Sequence, residues 1–340
     1  MDKDTDVLIS DSSRNYLVVI WQLLTDSPYK KCSLVLGLGV ILITVITLVI
    51  VFTHQSTGPS DDICPATPLV TFGYNPHGAD GPLHWSHLAP ETRCCAGSIQ
   101  SPIDIKTQSL YCRGFSAITY QGSPTGALNG SISSTGQGAV LAFSKQHQLV
   151  TGVLPEVTTD YVLDSMHFHC PSEHHVDGKP MSGELHLVHY KKQYSSFGAS
   201  VAKQDGLAVI GIFLEEGSSS NNSAFNSFAE GVQKLNDNRT GISVTLDPRQ
   251  LLPTGGKFYT YFGSLTTPSC SESVRWIVMQ KPIITTQEKV AILRTLKVKD
   301  AAHLSDFGNA RPLQALSSRR VDSNTYHWKI AALNNKGTRK

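Results

Sequence analysis

The sequence predicts a mainly β domain (α+β) with short peripheral helices, carried behind one N-terminal transmembrane helix. Three observations point there. From about residue 66 the chain breaks into short runs rich in β-branched and aromatic residues, separated by Gly, Pro, Asn and Ser turns. Helical periodicity is clear in only two stretches, residues 222–235 (NSAFNSFAEGVQKL) and 286–296 (TQEKVAILRTL). Residues 34–52 form an apolar or near-neutral run without a charge.

Residues 1–33 are a polar tail of mixed charge, predicted to be cytosolic. The apolar run 34–52 spans roughly 28 Å as a helix, close to the hydrocarbon thickness of a bilayer. It is longer than the apolar region of a cleaved signal peptide and follows a long leader, so it reads as an uncleaved signal anchor rather than a cleaved signal. Lys30 and Lys31 abut its N-terminal side, and the next basic residue beyond it is Arg93. The positive-inside rule then puts the N-terminus in the cytosol and the domain outside the cell or in a secretory lumen, as in a single-pass type II protein.

Two features agree with that orientation. Sequons begin at Asn129, Asn221 and Asn238. Of seven cysteines only Cys32 lies before the apolar run; Cys64, Cys94, Cys95, Cys112, Cys170 and Cys270 would meet an oxidising compartment.

Residues 53–65 read as a flexible linker, and residues 66–320 as the domain. Within it VLAF (140–143), MHFH (166–169), ELHLVHY (184–190), LAVIGIFL (207–214), FYTYFG (258–263) and RWIVM (275–279) read as strands. LAVIGIFL is apolar throughout, the pattern of a strand buried on both faces. The end, 321–340, is a polar tail without a second span or a GPI signal. Net charge is +2 with Lys and Arg scattered. No basic stripe exists, which excludes a nucleic-acid partner.

The chemistry concentrates in histidines. In a strand, residues i and i+2 share a face. His167 and His169 therefore project side by side, with Phe168 opposite. His186, on a second strand, supplies a third imidazole. Three protein nitrogens and an open position are how catalytic zinc is held. Glu184 lies two residues before His186 on the same face, placed to hold its second nitrogen, as metal-bound histidines require. GSLTTP (263–268) puts two hydroxyls in a loop bounded by glycine and proline. No H-E-x-x-H occurs, which argues against a zinc protease.

HFH, SEHHVDGK (172–179), ELHLVHY, DGLAVIGIFLE (205–215) and YFGSLTTP (261–268) followed by Trp276 stand in the order and spacing of an α-class carbonic anhydrase. QSPIDI (100–105), Gly81-Pro82 with His84-Trp85, and NARP (309–312) extend the resemblance across about residues 66–320. It implies a large, twisted, mostly antiparallel ten-stranded sheet with zinc at the base of a conical cleft. It also implies reversible hydration of carbon dioxide to bicarbonate and a proton by a zinc-bound hydroxide.

Residue by residue, the resemblance makes His167, His169 and His186 the zinc ligands. Thr266 would accept the hydroxide's hydrogen and donate its own to Glu173, which aims the nucleophile. Val188, Val209, Leu265, Thr267, Val274 and Trp276 would form the carbon dioxide pocket. His174 and His189 match buried structural histidines, and His175 reads as a surface residue. Cys95 and Cys270 would form a disulfide, stabilising by about 4–5 kcal/mol in the chain-entropy model. Cys64–Cys94 is a candidate second bridge, and Cys112 and Cys170 are left unassigned.

The sequence departs from the family in four places. The usual proton-shuttle histidine falls at Gln137, which cannot titrate near neutrality; proton export would then rely on buffer or on another histidine at the cleft rim, such as His77. Ser165 stands where many members carry a glutamine that braces the first ligand. Only Cys170, Pro171 and Ser172 separate His169 from Glu173. The membrane anchor is N-terminal. The competing reading is a non-catalytic binding or adhesion module on the same scaffold; such relatives have usually lost a zinc histidine, and all three are here.

Overall fold

The computed structural model describes residues 70–115, 118–121, 126–144, 149–151, 160–238, 241–298 and 303–324, all within the compact unit Ile63–Lys340. The tail 1–33, the apolar run 34–52, the linker 53–65 and Cys64 lie outside the described residues. Among those described, no helix is long and apolar enough to cross a membrane.

Fifteen strands follow in chain order: β1 (Asp104–Ile105), β2 (Tyr111–Cys112), β3 (Thr119–Gln121), β4 (Leu128–Ser134), β5 (Ala139–Phe143), β6 (Leu149–Thr151), β7 (Tyr161–His169), β8 (His175–Val176), β9 (Gly183–Lys191), β10 (Leu207–Glu216), β11 (Ile242–Leu246), β12 (Phe258–Gly263), β13 (Val274–Met279), β14 (Ile283–Thr285) and β15 (Asp322–Ser323). Ten of them make one continuous path, β11-β4-β5-β7-β9-β10-β13-β12-β15-β2, with β3, β6 and β14 attached at the side. Neighbours on the path are antiparallel except β10–β13 and β15–β2. The large, mostly antiparallel sheet that the resemblance implies is present, its ten-strand path lying within a sheet of thirteen strands among the described residues. β15 takes the sheet past residue 320, where the sequence reading ends the domain.

Helices α1 (Phe197–Val201), α2 (Ser223–Asn238) and α3 (Gln287–Arg294) are peripheral. The α2 residues Phe225, Phe228, Ala229, Val232 and Leu235 recur at helical spacing. They bury one stripe against Met166, Phe168, Leu185, Leu187, Ile210 and Ile212 of the sheet. Burying a side chain such as Phe168 contributes on the order of 1.5–3 kcal/mol. The opposite face of the same strands carries Val188, Val209, Phe213, Val274, Trp276 and Val278, packed with Ile103, Ile105 and Tyr261. β10 feeds both cores, which is why LAVIGIFL has no polar alternation.

A bulge decides which face the first two histidines take. Tyr161 and Leu163 point into the helix-side core, so strict alternation would send residues 165, 167 and 169 the same way. The register shifts between Leu163 and Ser165. The extra residue, Asp164, reverses the alternation. Met166 and Phe168 now enter the core, and His167 and His169 emerge on the other side.

Candidate active site

Register assembles the histidines. His167 on β7 stands opposite His186 on β9, and His169 stands opposite Glu184. His186 in turn faces Gly211 on β10. A Cβ at Gly211 would come within 2.7 Å of Glu184 Oε1, so glycine there leaves room for the carboxylate. The rings lie 5.1 Å apart for His167–His169, 5.1 Å for His167–His186 and 4.6 Å for His169–His186.

Partners behind two rings determine which nitrogens face inward. His169 donates from Nδ1 to the Asn309 carbonyl at 2.6 Å, and its buried Nε2 has no hydrogen-bond partner. His186 donates from Nε2 to Glu184 Oε1 at 3.0 Å, leaving Nδ1 bare, 3.2 Å from His167 Nε2. Three imidazole nitrogens, His167 Nε2, His169 Nε2 and His186 Nδ1, thus converge, and that donor set fits a cation of borderline softness such as zinc. All their candidate ligand atoms lie within 4.8 Å of one another. Burial holds the His167 pKa well below its ordinary value, and its imidazole neighbours push it further down. Burial takes His169 to about 4 and also lowers His186. Neutral imidazole is the ligating form.

Glu184 carries four hydrogen bonds. Oε1 accepts from His186 and from His174 Nδ1 at 2.8 Å. Oε2 accepts the backbone N–H groups of Glu173 at 3.0 Å and His174 at 2.9 Å. Burial pushes its pKa up, but His174 and His186 overcome that and hold it well below the carboxylate range. His174 Nε2 meets the Tyr261 hydroxyl at 2.7 Å. The second cluster with metal-ligand spacing, His174, Glu184 and His186, is therefore a hydrogen-bonded brace for the first.

Glu173 is buried beside the trio. Its Oε1 accepts the Arg311 backbone N–H at 2.9 Å, and its Oε2 lies 3.4 Å from His169 Nε2 and 3.9 Å from His186 Nδ1. Burial raises its pKa to about 7, against the pull of His186, Arg311 and the Thr266 hydroxyl. Oε2 lacks a partner in strict hydrogen-bond geometry, so the Thr266 contact is a loose one.

A cleft of about 300 Å³ opens over these residues, lined by His167, His169, Thr267, Pro268, Gln137 and Tyr74 among others. Val188, Val209, Val274 and Trp276 share one buried apolar cluster with Leu265 packed against it. Trp276 stands edge-on to His186, 4.8 Å between ring centres. Gln137 is half-buried at the mouth and donates its amide to the Phe72 carbonyl. His77 is exposed, outside the cleft lining.

Cys95 and Cys270 are joined by a disulfide across 175 residues. The bridge bears on both Glu173 and the loop that carries Thr266 and Thr267. Cys270 N–H donates to the Thr267 carbonyl at 2.7 Å, closing the hydroxyl loop. Arg311 donates to the Cys95 carbonyl at 3.0 Å while its own N–H holds Glu173. Cys94 is also disulfide-bonded; Cys64, its expected partner, lies outside the described residues. Cys112 and Cys170 are free thiols, the second buried.

The eukaryotic-type carbonic anhydrase family model matches residues 80–325. The chain belongs to this family. It is 35% identical to carbonic anhydrase 7 of Homo sapiens over 255 residues, covering 71% of this chain and 93% of that protein. Identity to carbonic anhydrase 3 of Equus caballus is 31% over 260 residues, with 74% and 96% covered. Carbonic anhydrase 1 of Monodelphis domestica is 32% identical over 272 residues, with 74% and 98% covered. The chain is thus an enzyme of the α-class carbonic anhydrases.

Some expected positions lie apart from the carbonic anhydrase centre. His175 is half-buried where β8 pairs with β1. His189 faces the helix-side core, with Nε2 3.0 Å from the Tyr120 hydroxyl. Asn129 and Asn221 are exposed; the Asn238 side chain is outside the described residues. The sequence reading missed Asn309, Arg311 and the bulge at Asp164. NARP was the available signal for the first two, since it places both residues within the family match.

Proposed function

We propose that this carbonic anhydrase holds zinc through His167 Nε2, His169 Nε2 and His186 Nδ1 and catalyses the reversible hydration of carbon dioxide. The observation that carries this is the convergence of three neutral imidazole nitrogens beside a buried carboxylate and a hydroxyl loop. Zinc in a three-histidine site, as carbonic anhydrases themselves exemplify, makes water a nucleophile near neutral pH. The chain's own groups supply the rest. Glu184 and the Asn309 carbonyl fix two imidazole tautomers. Glu173, accepting from Arg311, takes the Thr266 proton into a hydrogen bond. Thr266 then offers only a lone pair inward and selects one orientation of the nucleophile. Val188, Val209, Leu265, Val274 and Trp276 wall an apolar pocket suited to a substrate without strong hydrogen-bonding groups, with Thr267 at its edge.

The enzyme faces the outside of the cell or a secretory lumen, tethered by residues 34–52. Support comes from that apolar run, from Lys30 and Lys31 before it, from the Cys95–Cys270 disulfide and from exposed sequon residues Asn129 and Asn221. Carbon dioxide hydration by the purified protein, before and after zinc removal, tests the activity. Loss on chelation and recovery with added zinc is expected; a rate indifferent to zinc would overturn it.

A further inference from the structure

Four adjacent strands at one end of the sheet set a row of arginines and aromatic rings on its helix-side face. Phe262 on β12 stands opposite Arg275 on β13. Both take the face of Phe258 and Ile277, and the Arg275 guanidinium lies 3.3 Å from the centre of the Phe262 ring. Asp322 on β15 stands opposite Thr260 of β12 and opposite Tyr111 of β2. Period two then gives Arg320 and Arg113 the same face. The Arg320 guanidinium lies 4.9 Å from the Tyr111 ring centre, and that of Arg113 lies 5.5 Å from the Phe115 ring centre. From β13 to β2 the row crosses three strand gaps, roughly 14 Å. In sequence these residues are far apart, and only the sheet brings them into line.

This part of the face is open. Tyr111 is 55% exposed and Phe262 43%, and Arg113 and Arg320 are exposed beside them. Asp322 is the carboxylate these two arginines share, at 3.5 Å and 2.7 Å. The sequence that follows Asn324 adds Lys329, Lys336, Arg339 and Lys340 and neither Asp nor Glu. Row and tail hold seven cations and one carboxylate, in a chain of net charge +2. Positive charge collected in this way attracts a polyanion.

A guanidinium stacked on a ring uses its face there and keeps its N–H edge for oxygen acceptors. Stacking also fixes the side chain, which lowers the entropy lost when an anion binds. Arginine forks match tetrahedral oxyanions in bidentate geometry. We propose that this row is a docking surface for a sulfated polysaccharide. Such a chain carries oxyanions at intervals along a line and flat sugar faces between them, as the row carries guanidiniums and aromatic rings. The inference rests on the exterior or lumenal placement proposed above, where sulfated chains are met.

The test is retention of the full-length, detergent-solubilised protein on immobilised heparin at about 0.15 M salt, with desulfated heparin and phosphatidylserine vesicles as parallel arms. Wild type should bind heparin in a salt-dependent way and pass through the desulfated matrix. Arg320→Ala and Arg113→Ala should each weaken binding roughly tenfold. Arg320→Lys and Tyr111→Ala should weaken it less, and they serve if the alanine variants at the arginines do not fold. Carbon dioxide hydration should keep its wild-type rate in all four. No retention of wild type on heparin, or undiminished retention of the row variants, would overturn the proposal. Loss of binding only when Lys329, Lys336, Arg339 and Lys340 are all changed to Gln would overturn the row as the site. Tighter binding to the vesicles than to heparin would overturn the choice of partner. A domain digested by protease on the cytosolic side of sealed microsomes would instead overturn the placement and leave the measured binding standing.

Discussion

Glu184 Oε1 holds His186 Nε2 at 3.0 Å and so turns His186 Nδ1 toward the other two imidazoles. The same carboxylate takes the backbone N–H of Glu173. One buried anion therefore orients a candidate metal ligand and anchors the backbone of Glu173 beside it.

Glu184→Gln is expected to weaken zinc binding by roughly 10- to 100-fold, because the amide offers a neutral acceptor in place of a charge. Competition with a chelator of known affinity measures it. An unchanged zinc affinity would mean that Glu184 serves only the fold.

Thr266→Ala should leave zinc in place and slow hydration. It removes orientation and not the nucleophile. Loss of one preorganised hydrogen-bonding group at a reacting centre costs about 2.7–4 kcal/mol in barrier height. Equal kcat/KM in the variant and wild type would remove Thr266 from the mechanism.

Proton export should depend on buffer. Gln137 is tied to the Phe72 carbonyl and cannot titrate at working pH. Turnover should climb with imidazole-type buffer while kcat/KM stays flat. Gln137→His should raise kcat at low buffer, since an imidazole both takes and releases protons there. A wild-type kcat already saturated at very low buffer would point to another carrier, and His77→Ala would identify it.

His189 makes the fold acid-sensitive. Burial drives its pKa to about 4, against hydrogen bonds with the Ala208 and Leu187 backbone that raise it. An unfolded histidine titrates near 6.5. The native state therefore binds the proton less readily, and this contribution is whole above pH 6.5 and lost as pH falls toward 4. Between pH 7 and pH 5 it amounts to about 2 kcal/mol. His189→Gln should flatten the fall in unfolding free energy over that interval by this amount, measured by denaturant titration. Both proteins keep the histidines of the metal centre, so their difference isolates His189; identical slopes would refute the assignment.

Period-two spacing made His167, His169 and Glu184–His186 legible, because each pair lies within one strand. The two helices were legible from their apolar stripes, and LAVIGIFL from its unbroken apolarity. The sheet order and the Cys95–Cys270 bond came through the family resemblance; local pattern carries neither. The bulge was hidden, since Asp164 is an ordinary polar residue whose effect appears only in the register with β9. Asn309 was hidden for another reason: it meets His169 from 140 residues away, a contact made by the tertiary fold. Asp322 and Ser323 read as tail because two polar residues show no pattern, yet they pair with β12 and β2.

The most direct test of the three-histidine zinc centre measures zinc stoichiometry and carbon dioxide hydration on the same samples of wild type and His186→Ala. We expect one zinc per wild-type chain with rapid hydration, and loss of most metal and rate in the variant. A His186→Ala protein with full zinc and full rate would contradict the account.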